Sequence, residues 1–266
     1  WYADDSAATG SVLGVKAWFN RLKAEGDEFG YEIKLSKTVA IVKPEAEAAF
    51  RRAFGDLIAD PSDPESAGLR VVCCGLEDLD RVEGRHVDGL LGQRYLGAAV
   101  GSRAFREERV RLKVKGWVTD VRKLAALGRT YPHQAYSLLV RSLLPRWRYT
   151  MRTFQGNSSF YLPLERALVE SFFPSVFGWK PSDAALRRRC ALPTRKGGLG
   201  IPEIGQLADE EAGASEELTG RLSAAILDQD SEFVEDLRAT RTCRQARQRA
   251  RDKAFDARAD ELAEGL

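Results

Sequence analysis

The first five residues of this 266-residue chain place two adjacent carboxylates, Asp4 and Asp5, behind the aromatic Tyr2 and the small Ala3. This pattern is typical of the tip of a tight β-hairpin, where the turn exposes both acids. Carboxylate oxygens suit hard cations such as Mg²⁺, which also takes substrate phosphates as ligands. Two such ions can clamp the attacking and leaving oxygens of an in-line phosphoryl transfer. The alternative is an acidic turn that precedes a helix cap.

The next forty residues predict the elements that would position this pair. A helix is capped by Thr9 or Ser11, carries apolar side chains at helical spacing and ends at Gly26. A half-buried strand is then predicted from apolar residues at every second position, namely Tyr31, Ile33, Leu35, Val39 and Ile41. Lys37 falls on this apolar parity, so either the strand breaks just before it or its side chain opens into a cleft.

Several stretches resemble the end of the palm subdomain of reverse transcriptases. They are Tyr2-Ala3-Asp4-Asp5, Trp18-Phe19, Phe29-Gly30-Tyr31 and Ser36-Lys37-Thr38-Val39-Ala40-Ile41-Val42-Lys43-Pro44. Tyr95-Leu96-Gly97-Ala98-Ala99-Val100-Gly101 and Gly197-Gly198-Leu199-Gly200-Ile201-Pro202 are similar to stretches that recur in reverse-transcriptase-like proteins of eukaryotic retroelements of the non-LTR kind. The resemblance covers about the first two hundred residues. Ser6-Ala7-Ala8 departs from the bulky apolar residues usual after the paired aspartates.

The resemblance implies a role for each residue of the motif. Asp4 would be the principal ligand of two Mg²⁺ ions, with Asp5 in support, and Tyr2 would lie beneath the primer terminus. Lys37 would lie near the leaving pyrophosphate, where an ammonium group stabilises charge and can deliver a proton. A strand-end lysine that reaches water is the alternative for Lys37. The implied substrates are deoxynucleoside triphosphates, an RNA template and a DNA primer.

The predicted fold class is α+β. Residues 1–101 would form a remnant of a polymerase palm, with a β-hairpin, a helix and a strand. Residues 102–204 would form a basic, helical, thumb-like domain, and residues 205–266 a charged helical extension. The apolar, glycine-bounded stretch from Tyr95 to Gly101 predicts a short strand that leads out of the palm. In the resembled enzymes this stretch helps to place the primer's 3′ end.

Positive charge is concentrated between Ser102 and Arg152, a segment with thirteen Lys and Arg residues and three acids. Its local charge is +10, whereas the net charge of the whole chain is +2. A buried helical stripe runs through this segment, and few acids balance the basic residues around it. We therefore predict that a polyanion binds there, with contacts from Arg106, Arg109, Lys113 and Lys115. Further on, arginines interleave with aromatics from Pro145 to Tyr149. Either these arginines and aromatics bind a nucleic-acid strand, or the aromatics belong to the core and the arginines point outward around them.

Composition restricts the remaining classes of protein. No apolar run approaches the roughly 20 residues of a membrane span, so we expect no membrane partner. Four cysteines without zinc-site spacing indicate thiols in a reducing compartment, the cytoplasm or nucleus. A nuclease or phosphatase fits worse, because neither histidine stands near an acidic motif.

Two further alternatives stay open. An RNA-dependent RNA polymerase shares the palm, but such enzymes usually carry Gly where this chain has Ala3, and Lys37-Thr38 favours DNA synthesis. A non-catalytic nucleic-acid-binding protein, derived from a decayed retroelement, would keep the basic helices without catalysis.

The resemblance implies a third palm aspartate and nucleotide-holding fingers residues, both upstream of Tyr2. Because the chain begins inside a motif, we expect it to be a piece of a longer protein that does not polymerise by itself. A primer-extension assay with the purified 266-residue chain, RNA template and deoxynucleotides should show no product. Nucleotide incorporation would contradict this expectation.

Overall fold

The structure, a computed structural model, describes residues 6–60, 67–73, 92–154, 158–228, 230 and 232–264. These residues are mostly helical, and the strands among them form two small sheets of two strands each. The predicted α+β class is confirmed at this level. The chain divides into two compact units, unit 1 (residues 1–108) and unit 2 (residues 109–266). None of the helices in the described ranges is long and apolar enough to cross a membrane.

The first residues of a third helix, described below with unit 2, belong to unit 1. The described residues of unit 1 also contain two complete α-helices and four short strands. In chain order they are α1 (Val12–Glu25), β1 (Val39–Val42), α2 (Glu47–Phe54), β2 (Arg70–Cys73), β3 (Gly92–Tyr95) and β4 (Ala98–Gly101). The hydroxyl of Ser11 caps α1 by accepting a hydrogen bond from the Gly14 N–H at 3.2 Å, and Gly26 ends the helix. The predicted first helix is thus confirmed.

The core of unit 1 lies between its two helices and the β1–β2 sheet. The strands β1 and β2 are parallel, in register from Val39 opposite Arg70, and α2 connects them. The rings of Phe19 on α1 and Phe54 on α2 are arranged edge-on, with their centres 5.8 Å apart. The Phe50 ring stacks on the Phe54 ring, with their centres 4.4 Å apart. Such apolar burial is the main stabilising contribution to a unit of this size.

The strand predicted from Tyr31 is shorter than expected and faces the other way. Residues 31–34 form no regular element, and a 3₁₀ turn at Leu35–Lys37 comes before β1. Because the 3₁₀ turn is not extended, it interrupts the alternation of side chains between the two faces, and this changes which residues of β1 face the core. Ala40 and Val42 therefore pack against the core, whereas Ile41 is 38% exposed.

The stretch predicted as a single strand, Tyr95 to Gly101, is the second half of a hairpin. β3 and β4 pair in antiparallel register, with Tyr95 opposite Ala98. Leu96 and Gly97 form the turn with φ angles of 46° and 82°. Positive φ at both central positions gives the backbone twist that a two-residue hairpin needs. The apolar pattern of the sequence does not reveal this turn.

Unit 2 is built from helices. They are α3 (Arg103–Gly128), in which the boundary between the units falls, α4 (Pro132–Leu138), α5 (Leu144–Thr153), α6 (Leu162–Ala167), α7 (Phe173–Phe177), α8 (Ala184–Ala191), α9 (Ile204–Leu227) and α10 (Leu237–Glu264). The predicted buried stripe of α3 is confirmed, since Val110, Val114, Trp117 and Val121 are each at most 7% exposed. Phe172 and Phe173 are fully buried in the core of unit 2, whereas Trp179, whose ring contacts those of Phe173 and Phe177, is 41% exposed.

Two π-helical turns continue helices across prolines. Leu139–Leu143 joins α4 to α5 just before Pro145, and Leu168–Phe172 joins α6 to α7 just before Pro174. Proline lacks an N–H and its ring collides with the carbonyl four residues back in a regular helix. The wider turn relieves this conflict, and in both places the sequence reads Leu-Val-x-Ser followed by two apolar residues and Pro.

A buried ion pair connects three separate parts of unit 2. The Arg187 guanidinium, on α8, donates to both carboxylate oxygens of Glu165, on α6, at 2.6 and 3.0 Å. It also donates to the carbonyls of Ile201 and Pro202 at 2.8 and 2.7 Å. Glu165 in turn accepts the N–H of Ile204, the first residue of α9, at 3.0 Å. The Arg187–Glu165 pair therefore fixes α6, α8 and the start of α9 together.

Glu165→Gln should lower the free energy of unfolding by about 3 kcal/mol, because it leaves a buried guanidinium without its counter-charge. Urea unfolding followed by circular dichroism measures this change. Glu170→Gln is the matched control, since Glu170 is exposed on the same helical segment. Equal stability of the two variants would contradict the role assigned to the pair.

Candidate functional site

The predicted metal ligands fall outside the described part of the chain. Tyr2, Asp4 and Asp5 belong to residues 1–5, which the structure does not describe. The Gly, Asp and Glu content of Gly75 to Gln93 predicts a loop or insertion, most of which is also outside the described residues, whereas Gly92 and Gln93 begin β3. Among the described residues, no group of three or more His, Cys, Asp or Glu side chains could hold a metal ion. The magnesium site therefore remains a prediction from the motif.

The residue that follows the paired aspartates is held by a tertiary contact. The hydroxyls of Ser6 and Tyr31 are hydrogen-bonded at 2.7 Å. The N–H of Tyr31 donates to the Gly26 carbonyl at 2.9 Å, and a Cβ atom on Gly26 would lie 2.7 Å from the Tyr31 carbonyl oxygen. Glycine at this position thus allows the Tyr31 backbone to lie close against the end of α1. The neighbouring Phe29 is 81% exposed.

Lys37 lies at the end of the 3₁₀ turn that precedes β1, and its side chain is exposed. Its N–H donates to the Lys34 carbonyl at 3.0 Å, and the carbonyl of the following Thr38 accepts the N–H of Arg70 at 3.0 Å. The break in the strand thus accounts for a lysine on the apolar parity. The exposed ammonium remains compatible with both interpretations, a proton donor and a solvated strand-end lysine.

The four basic residues predicted to contact a polyanion do not share one face of α3. Arg106, Arg109 and Lys113 are half-buried and recur every three or four residues on one side. The Lys113 ammonium donates to the hydroxyl of the buried Thr150 at 3.1 Å. Lys115 is exposed, and two residues of helix rotate it about 200° from Lys113. A polyanion in contact with Lys115 would therefore meet different neighbours.

Those neighbours are Arg111 and Arg122. With Lys115 they form the α3 basic stripe, in which the residues are four and seven apart and all three side chains are exposed. The stripe extends about 17 Å along the helix. The Arg111 guanidinium lies 4.9 Å from the centre of the Phe160 ring, a cation–π contact that orients it. The stripe could have been found in the sequence by searching for basic residues spaced four and seven apart, which share one face of a helix, rather than for basic residues close together in sequence.

The arginine-rich segment from Pro145 to Tyr149 has a mixed role. Trp147 is fully buried, which confirms the core interpretation for this aromatic residue. Arg148 and Arg152 form ion pairs with Glu211 of α9, which is only 7% exposed. These two arginines therefore contribute to the packing of α5 on α9, while the charge of Arg146 stays exposed.

In the glycine-rich turn, residues 193–202, the N–H groups from Lys196 to Ile201 are not available to a phosphate. Every N–H from Lys196 to Ile201 donates to a carbonyl within residues 190–194. Gly197 and Gly200 have φ angles of 75° and 64°, which only glycine adopts easily. A Cβ atom on Gly198 would lie 2.1 Å from the Leu192 carbonyl oxygen. The turn is a rigid structural element and not a phosphate-binding loop.

Comparisons of this chain with family models, with curated proteins and with solved structures return no match. Its function is therefore inferred from its own motifs, charges and geometry.

Lys113→Ala and Lys115→Ala form a matched pair two residues apart on α3. Lys113→Ala should lower the free energy of unfolding by about 1–2 kcal/mol, because the buried Thr150 hydroxyl loses a charged partner. Lys115→Ala should change it by less than about 0.5 kcal/mol, since its side chain is exposed. Urea unfolding checks both values, and equal destabilisation would contradict the assignment of Lys113 to the packing.

Proposed function

We propose that this chain is part of an RNA-directed DNA polymerase, a reverse transcriptase of a non-LTR retroelement. The observation that carries the proposal is the Tyr2-Ala3-Asp4-Asp5 motif, which continues directly into Ser6. The Ser6 hydroxyl is bonded to Tyr31 of the Phe29-Gly30-Tyr31 stretch. The residue directly after the motif is therefore held against one of the stretches that resemble the palm subdomain.

The donor set of the motif fits magnesium, because Asp4 and Asp5 supply hard carboxylate oxygens. Bound Mg²⁺ would neutralise charge on the phosphates during attack by the primer 3′-hydroxyl on the α-phosphate of a deoxynucleotide. In this proposal Asp4 is the principal ligand, Asp5 supports it and Tyr2 supports the primer terminus. Lys37, whose ammonium is exposed, donates a proton to the departing pyrophosphate.

The template–primer duplex binds on unit 2 through the α3 basic stripe. Exposed cations in a row along one helix attract a phosphate backbone and release its counterions, which contributes most of the affinity of non-specific binding. Membrane binding is not part of the proposal. No disulfide joins the three described cysteines, Cys73, Cys190 and Cys243. This fits the reducing interior of a cell, and we place the protein in the cytoplasm or nucleus.

A non-catalytic nucleic-acid-binding protein is the second candidate. It is favoured by the α3 basic stripe alone, which belongs to unit 2 and needs neither Asp4 nor Asp5. Only the first candidate requires divalent metal binding at Asp4 and Asp5, so loss of Mn²⁺ binding in the Asp4→Asn and Asp5→Asn double variant separates the two candidates.

Affinity for an RNA–DNA primer duplex should fall steeply with salt concentration. Changing Arg111, Lys115 and Arg122 together to Ala should reduce the slope of log affinity against log salt by about 2–3, since each phosphate contact contributes about 0.9. Fluorescence anisotropy with a labelled duplex measures both quantities. The change also removes the cation–π contact of Arg111, so the melting temperature of the variant is measured alongside.

The matched control changes Lys23, Arg52 and Lys180 to Ala. These three cations are exposed and lie elsewhere in the chain, so the control removes the same charge from other surfaces. Its salt slope should stay within about 1 of wild type. Equal losses in the two variants would show a response to net charge only and would contradict binding on the stripe.

A further inference from the structure

The glycine-rich turn presents two adjacent cations, Arg195 and Lys196, on a rigid backbone. The N–H groups from Lys196 to Ile201 bond within the turn and to the end of α8, and Arg187 holds the far end of the turn through the Ile201 and Pro202 carbonyls. Just before it, α8 exposes Arg188 and Arg189. No acid interrupts residues 188–196. These four cations lie within nine residues, and the rigid backbone of the turn reduces the ordering needed when Arg195 and Lys196 bind an anion.

The helix α10 covers part of this group with carboxylates. Asp252 accepts a hydrogen bond from Arg195 at 2.6 Å, and Asp256, one helical turn later, forms an ion pair with Lys196. Both acids lie on the same side of α10, because residues four apart are neighbours on a helix. Two of the four cations are thereby neutralised by the chain itself.

The contacts that hold α10 in place are weak. None of its described side chains, from Leu237 to Glu261, is buried. Besides Asp252 and Asp256, Cys243 contacts the α9 residue Glu217, and Arg247 contacts both Glu217 and the Glu210 carbonyl of α9. A cavity of about 200 Å³ lies between the two helices. Exposed ion pairs contribute little and are screened by salt, so other anions can compete with them.

We propose that α10 is an electrostatic latch, and that the phosphate backbone of a nucleic acid displaces Asp252 and Asp256 from Arg195 and Lys196. The latch rests on the nucleic-acid partner of the proposed function and adds a second contact surface, separate from the α3 basic stripe. Nucleic acid that occupies the turn releases α10. Without nucleic acid, the two aspartates keep the turn from binding other anions.

The reactivity of the Cys243 thiol indicates whether α10 is released. This half-buried thiol donates a hydrogen bond to the Glu217 carboxylate at 3.1 Å. This bond, together with burial and the negative charge, raises the pKa of the Cys243 thiol. The thiolate is the reactive form. Release of α10 removes these contacts, lowers the pKa toward its ordinary value and speeds alkylation.

The test measures the alkylation rate of Cys243 by N-ethylmaleimide, quantified on its peptide by mass spectrometry, with and without an RNA–DNA duplex. Duplex binding is followed by anisotropy in the same samples. Duplex should raise the rate several-fold in the wild-type chain. Asp252→Asn with Asp256→Asn should raise it without duplex and tighten duplex binding about fivefold.

Two further variants separate the latch from net charge and from unfolding. Asp260→Asn with Glu261→Gln changes the same charge at exposed positions of α10 and should behave like wild type. Arg195→Ala with Lys196→Ala should release α10 without tightening duplex binding. Each variant is checked for an unchanged melting temperature.

Duplex binding to the wild-type chain without faster alkylation would overturn the latch and leave the proposed function standing. Equal effects of the two acid-to-amide pairs would also overturn it, since net charge would then explain the result. If the wild-type chain binds no duplex at low salt, the proposed function and the latch both fail.

Discussion

The architecture of unit 2 depends on the buried pair of Arg187 and Glu165. A guanidinium with five donors matches a carboxylate and two carbonyls at once, so a single side chain connects α6, α8 and the start of α9. A buried ion pair adds little stability over an apolar alternative, but it requires one arrangement of its partners. The glycine-rich turn is rigid for this reason, and its cations have fixed positions.

Basic residues in unit 2 fall into two groups that the sequence does not separate. Three of them form polar contacts within unit 2: Lys113 donates to the Thr150 hydroxyl, and Arg148 and Arg152 pair with the Glu211 carboxylate. Arg111, Lys115 and Arg122 lie on the outside of α3. A local charge of +10 therefore overstates what a polyanion can contact. The exposed remainder still forms a continuous row, which is what a phosphate backbone requires.

Long periodic helices were predictable from the sequence, because many positions repeat the same preference. Val110 to Val121 identified the buried side of α3, and the start of α1 was predicted at Thr9 or Ser11, of which Ser11 is the cap. Short elements were not, since one local turn overrides the pattern. The 3₁₀ turn at Leu35–Lys37 reversed the parity of β1, and positive φ at Leu96 converted an expected strand into a hairpin. Among the site residues, Asp4 and Asp5 follow from their motif alone, while the partner of Lys113 depends on a tertiary contact.

The most direct test of the proposed function is metal binding at Asp4 and Asp5. Titration calorimetry with Mn²⁺, in the presence of an RNA–DNA primer duplex and a non-hydrolysable deoxynucleotide, would compare the wild-type chain with the Asp4→Asn and Asp5→Asn double variant. We expect the double variant to bind Mn²⁺ at least about tenfold more weakly while its duplex affinity is unchanged, because carboxylates provide the ligands. Equal Mn²⁺ affinity of the two proteins would contradict the assignment of these aspartates to a polymerase metal site.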